Sequence, residues 1–344
     1  MRKGALGILC SALVLVVIVA MAMSSIPAVL AQGDNTLTAV RVAAGTMNPL
    51  DALWADAPAL EVALALDSEA GDLPVFAGYT FPPVEQVTLR AVFTEDMIYI
   101  LSIWPDDTMN TNRRAWTFDG TAWTQNRLNE DRISFMFNIT GNRQFDALGC
   151  AGACHAASSD MPAYMGFPPD SADAVDMWHW KASRTAPAGW ADDQWAGAYV
   201  AAEETGRAND ARESGGYSDN RNEAGDAPSF VYPEGATPGS PLLRSSAVAF
   251  DPTMSFPAGY TVPGYVISRP VGSRGDVASA SIHMTDQDGR GWWYVVQARA
   301  LNTGNPEDAV FAPGGSYTFG VAVFNNGGDA LHTVSERLVL AIGN

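Results

Sequence analysis

Val87-Thr-Leu-Arg-Ala-Val-Phe93 and Met97-Ile-Tyr-Ile-Leu-Ser-Ile-Trp104 are two runs rich in β-branched and aromatic residues, separated by Thr94-Glu-Asp96. Such side chains lose χ1 freedom in a helix and pack well on a pleated surface, so both runs read as strands joined by a hairpin turn. Trp104-Pro-Asp-Asp-Thr108 ends the second run. The same signature recurs at Arg132 to Ile139, Tyr260 to Ser268, Gly291 to Arg299, Ser316 to Phe324 and Val334 to Ile342. Asn325-Asn-Gly-Gly328 is a strong turn signal between the last two. With 32 Gly, 21 Pro, no internal repeat and no convincing amphipathic helix, the chain reads as mainly β. The expected architecture is a single antiparallel β-sandwich with helical or irregular insertions. Residues 201–240 turn polar and read as a long insertion loop.

The N-terminus carries Arg2 and Lys3, an apolar run from Ala5 to Met23 and small residues up to Ala31. This order reads as a secretory signal over residues 1–31, with an uncleaved membrane tether as the alternative. Residues 32–344 then form one exported domain, placed in the periplasm or at the cell surface. The chain has 20 basic and 38 acidic residues, a net charge of −18 that falls to −20 once Arg2 and Lys3 are removed. Such a surface repels nucleic acid and suits partners with a basic docking face.

Three cysteines occur, and Cys10 lies in the leader. The other two form Cys150-Ala-Gly-Ala-Cys154-His155. Two thiols followed directly by an imidazole are the chemistry of covalent haem attachment: each thiol adds to a porphyrin vinyl group and the histidine ligates iron. Two residues normally separate the cysteines and here there are three; a Cys150–Cys154 disulfide is the competing reading. One haem c per chain is the expected cofactor, with His155 as proximal ligand.

In Asp176-Met-Trp-His-Trp-Lys-Ala182 a strand would place Met177, His179 and Lys181 on one face, with Trp178 and Trp180 on the other. The indoles suit either core packing or a haem wall. Lys181 is the sole lysine beyond Lys3 and is expected to meet a haem propionate. Asp192-Asp193 and Glu203-Glu204 read as solvated acidic pairs. Trp116, Trp123, Trp190 and Trp195, if exposed, would suit a haem-free carbohydrate-binding sandwich instead. There is no Ser/His/Asp spacing, phosphate loop or His-Glu-x-x-His helix, so an independent enzyme is not expected.

The succession of Asn129-Glu-Asp-Arg132, Cys-x3-Cys-His, Trp178-His-Trp-Lys181, Gly291-Trp-Trp and His332-Thr-Val-Ser335 resembles the ethylbenzene dehydrogenase haem-binding family. That family includes γ subunits of dimethyl-sulfoxide-reductase-type molybdenum enzymes and related exported cytochromes c. The resemblance implies a β-sandwich holding one haem near its edge and passing electrons, alone or docked on a larger oxidoreductase. Family γ subunits hold haem b between a methionine and a lysine. Met165 matches the methionine, while His332 stands where the lysine would be. The resemblance therefore makes His332 the expected distal ligand, with Met165 as its rival. His179, between two tryptophans on a strand that supplies no ligand in the family, is set aside.

Overall fold

The computed structural model describes residues 35–66, 83–139, 141–153, 165–237, 239–327 and 332–344. The expected leader lies outside them, as do Cys154 and His155. Strands β1 (Thr36–Arg41), β2 (Leu60–Leu66), β3 (Gln86–Phe93) and β4 (Met97–Pro105) come first. They are followed by β5 (Trp116–Phe118), β6 (Trp123–Gln125), β7 (Arg132–Asn138), β8 (Val175–Lys181), β9 (Asp192–Val200) and β10 (Thr205–Asn209). Next come β11 (Ser214–Asp219), β12 (Phe230–Val231), β13 (Val248–Ala249), β14 (Tyr260–Val262) and β15 (Tyr265–Val271). The chain closes with β16 (Ala278–Thr285), β17 (Gly291–Ala300), β18 (Ser316–Phe324), β19 (Thr333–Ser335) and β20 (Leu338–Ile342).

Thirteen strands form one sheet that runs β10-β9-β8-β7-β18-β19-β2-β3-β4-β17-β16, with β20 and β1 bridging β18 and β3 beside the β19–β2 pair. The sheet is bent so that its two arms face one another as a sandwich. Trp104 of β4 lies 6.0 Å from Trp180 of β8, and Trp180 lies 5.1 Å from Trp293 of β17, each edge to face. Such aromatic pairs contribute about 0.5–1.5 kcal/mol beyond the area they bury. The expected antiparallel order holds except at β1, which runs parallel to both β20 and β3.

Alternation along β7, β8 and β18 decides which side chains meet. Ile133, Phe135 and Phe137 of β7, Trp178 and Trp180 of β8, and Val321 and Val323 of β18 all enter the central core. The opposite faces carry Arg132, Ser134 and Met136, then Met177 and His179, then Ala322 and Phe324. A sheet with one face in the core needs cover on the other. The connection from β7 to β8 supplies it, with one short helix, α1 (Arg143–Leu148), capped by Asn142, whose side chain accepts from the backbone N–H groups of Gln144 and Phe145.

Residues 201–240 are not the uninterrupted loop that their composition suggests, because β10, β11 and β12 fall within them. Gly215 and Gly216 both adopt positive φ at the irregularity where β11 pairs with β15. These glycines, with turns built on Asn222, hide strand alternation from a composition-based reading.

Candidate functional site

The covered face of β7, β8 and β18 encloses a cavity with about 50 Å³ of water-accessible room. Arg132, Ser134, Met136, Met177, His179, Ala322 and Phe324 come from the three strands. Arg207 of β10, Val334 of β19, and Cys150, Met165 and His332 from the connections complete it. Met165 and His332 are the first described residues after 154–164 and 328–331. Cys150, Met165 and His332 are thus brought together from positions far apart in sequence.

Close backbone approaches hold the cover in place. Gly206 N–H donates to the Met165 carbonyl at 2.6 Å and Gly166 N–H to Ala153 at 2.8 Å. Gly166 has φ +146, and a side chain there would meet the Gly206 backbone at 2.9 Å. Cys150 is buried and packs with Met136, Phe145 and Met177.

His179 is the residue that the sequence reading passed over. It is buried, and neither ring nitrogen has a hydrogen-bond partner. Burial, reinforced by the cations Lys181, Arg207, Arg132 and Arg184, holds its imidazole well below the usual histidine range, so the ring is neutral. Its ring stacks 5.7 Å from Phe324, which stacks 4.5 Å from His332. The Arg132 guanidinium lies 4.0 Å from the Phe324 ring centre. The signal was present in the alternation, which put His179 on the face opposite the tryptophans.

Among the described residues, the cavity lining contains two arginines, two histidines and no carboxylate, in a chain of net charge −18. Thioethers from Met136, Met165 and Met177 and the Cys150 sulfur make it soft as well as positive. Neutral imidazole and thioether donors beside guanidinium groups match the chemistry of a haem site, soft donors for iron and cations for propionates, while the cavity of about 50 Å³ admits a porphyrin only if its cover shifts outward.

Three expected haem contacts are corrected. Trp178 and Trp180 wall the central core rather than the cavity, because their parity on β8 turns them inward. Lys181 shares the His179 parity but is fully buried in a separate ion cluster. Its ammonium binds Asp192 and donates to the Tyr217 hydroxyl at 3.0 Å. Arg274 Nε reaches Asp192 at 2.6 Å, and Tyr217 donates to the same carboxylate at 2.7 Å. With that partner set, Lys181 is spoken for.

Asp192 and Asp193 are likewise not solvated; both are fully buried, on opposite faces of β9. Of the four tryptophans considered for a sugar platform two are buried: Trp116 donates to the Asn220 carbonyl, and Trp190 stacks against Tyr217, while Trp123 and Trp195 are half-buried.

The sequence matches the family model described as ethylbenzene dehydrogenase over residues 51–335. Comparison with curated proteins returned no match. Among solved structures, the chain is similar to a family 9 carbohydrate-binding module from Caldicellulosiruptor kristjanssonii in complex with glucose. There the identity is 7%, covering 90% of this chain and 96% of the module at a TM-score of 0.36. The cellotriose complex gives 7% identity, 90% and 94% coverage and a TM-score of 0.34.

Proposed function

Because this chain belongs to the ethylbenzene dehydrogenase family, we propose that it is an exported electron-transfer protein binding one haem in the cavity between β7, β8, β18 and their cover. The observation that carries this reading is the cavity lining: soft donors and cations from remote parts of the chain, without a carboxylate among the described residues. Bound haem supplies a one-electron iron couple. The chain's own residues bury it, ligate it and neutralise its carboxylates.

In this reading Cys150 and Cys154 anchor the group, and His155 ligates from the same loop. His332 ligates from the far rim, where it needs no deprotonation from a cationic form as a lysine would. Arg132 and Arg207 are the propionate partners, replacing Lys181 in that role. The buried hydrophobic groups around Cys150 exclude water and set the potential through burial. The same cavity serves a free carrier or a subunit docked on a larger oxidoreductase, and the family membership favours the docked form.

The test is a redox titration of the protein made with cytochrome c maturation machinery. One low-spin haem per chain with a single reversible couple is expected. Colourless protein, or an open high-spin iron that binds added ligands, would count against electron transfer.

A further inference from the structure

The inward face of β8 and β9 carries a second group of charges, separate from the cavity on their outward face. Asp176 and Asp193 point into the sandwich, and Asp308, from the connection before β18, joins them; all three are buried. One oxygen of each lies within 4.8 Å of the others. Arg299 of β17 brings one positive charge among them, with Nη2 2.6 Å from Asp176 and Nη1 3.3 Å from Asp193 and 3.2 Å from Asp308. Asp210 is 4% exposed, and neither of its carboxylate oxygens accepts a hydrogen bond. The Asp210 N–H donates to the Asp193 carbonyl at 3.3 Å, one step beyond the Asn209–Gln194 pair of β10 and β9, so its side chain lies on the same inward face beside Asp193. Asp176 Oδ1 also has no hydrogen-bond donor.

Four buried carboxylates therefore face one guanidinium, with three oxygens aimed at no donor. Uncompensated buried charge is strongly unfavourable, and it is relieved by protons or by a cation. We propose that Asp176, Asp193, Asp210 and Asp308 bind one calcium ion. The donors are all carboxylate oxygens, with no sulfur or imidazole, which selects a hard cation. Calcium accepts six to eight oxygens at about 2.3–2.6 Å in irregular arrangements, so oxygens up to about 4.8 Å apart can share one ion. The dication would bring the group within one charge of neutrality. Gln297, buried on the same inward face as Arg299 with both amide atoms lacking hydrogen bonds, offers one more oxygen. Asp308 also lines a surface cavity of about 550 Å³ with Asn138, Tyr317 and Arg337. Bound there, calcium braces the strand pair whose other face presents Met177 and His179.

The experiment uses the full chain stripped with EDTA and titrated with CaCl2 by calorimetry and thermal melting. Terbium luminescence excited through indole gives a local readout, because the Trp178 ring lies 4.9 Å from the Arg299 guanidinium carbon. One calcium per chain, a melting temperature that rises with calcium, and terbium emission displaced by calcium are expected. Asp210→Asn should weaken binding at least tenfold and leave the calcium-free melting temperature unchanged or higher; Asp308→Asn is the second variant. No heat, no emission and equal melting in EDTA and calcium would overturn the proposal. Ion binding that both variants leave unaltered would overturn it too, by placing the ion on the acidic surface.

Discussion

The sulfur of Cys150 lies against the backbone of Gly320, so close that a β-carbon at position 320 would collide with it. The absence of a side chain at position 320 is what lets the Cys150 segment sit down on β18. Gly320→Ala should therefore push Cys150 outward, costing about 1–3 kcal/mol as an overpacked core position does. Denaturant unfolding and haem content together check it. Unchanged stability with full haem loading would show that the contact does not matter.

Lys181 is predicted to stabilise the fold and to leave the haem alone. Lys181→Met strips one cation from buried Asp192, at a cost of about 3 kcal/mol, the low end for a broken buried pair since Arg274 remains. The haem spectrum and midpoint potential should not move. A shifted potential with unchanged stability would return Lys181 to the haem.

Stability should fall between pH 5 and pH 8 in the presence of EDTA. Asp131 accepts from the backbone N–H groups of Asn110 and Asn326 and from Trp293 Nε1, yet burial and the neighbouring Asp106 raise its carboxyl to about 8. An unfolded aspartate loses its proton near pH 4, so across this window folded Asp131 holds a proton that the unfolded chain has lost and stability falls as pH rises. Neutral buried His179 opposes this below the ordinary histidine range, so the comparison is made in the His179→Ala background. Asp192 has the opposite sign. Lys181 and Arg274 hold its carboxyl low despite burial, so its contribution is present above the ordinary carboxylate range and is lost in stronger acid. Thermal melting at the two pH values is the measurement; a higher melting temperature at pH 8 would contradict the assignment of Asp131.

The sheet was largely legible because its strands carry their own signal. The runs at 87–93, 97–104 and 316–324 match β3, β4 and β18 closely, since β-branched and aromatic alternation needs no distant information. The stretch from Val334 to Ile342 instead divides at Glu336-Arg337 into β19 and β20, which both pair with β18 but have different second partners, β2 for β19 and β1 for β20. The site was legible only in part. Cys150 was named from its own motif, Met165 and His332 from the family resemblance, and all three line one cavity. His179 was missed because its value depends on the α1 connection covering that face of β8. Asp192 and Asp193 were misread because Arg274 and Arg299, which engage them, lie 82 and 106 residues away.

His332→Ala should convert a low-spin haem to a high-spin, ligand-accessible one, measured by absorption and electron paramagnetic resonance. His179→Ala should leave the iron low-spin, since in this account His155 and His332 would be the residues that hold it. An unchanged His332→Ala spectrum would remove His332 as ligand. The same spectra on Met165→Ala and His179→Ala would then identify the donor that replaces it, methionine being marked by a higher potential.

The central claim is that Cys150 anchors a haem in this cavity, and acid–acetone extraction followed by intact mass tests it most directly. Protein made with cytochrome c maturation machinery should keep its pigment in the pellet and carry the added mass of one haem. Cys150→Ala should hold it through a single thioether at most. Pigment that leaves with the acetone, from a chain of unmodified mass, would contradict the claim.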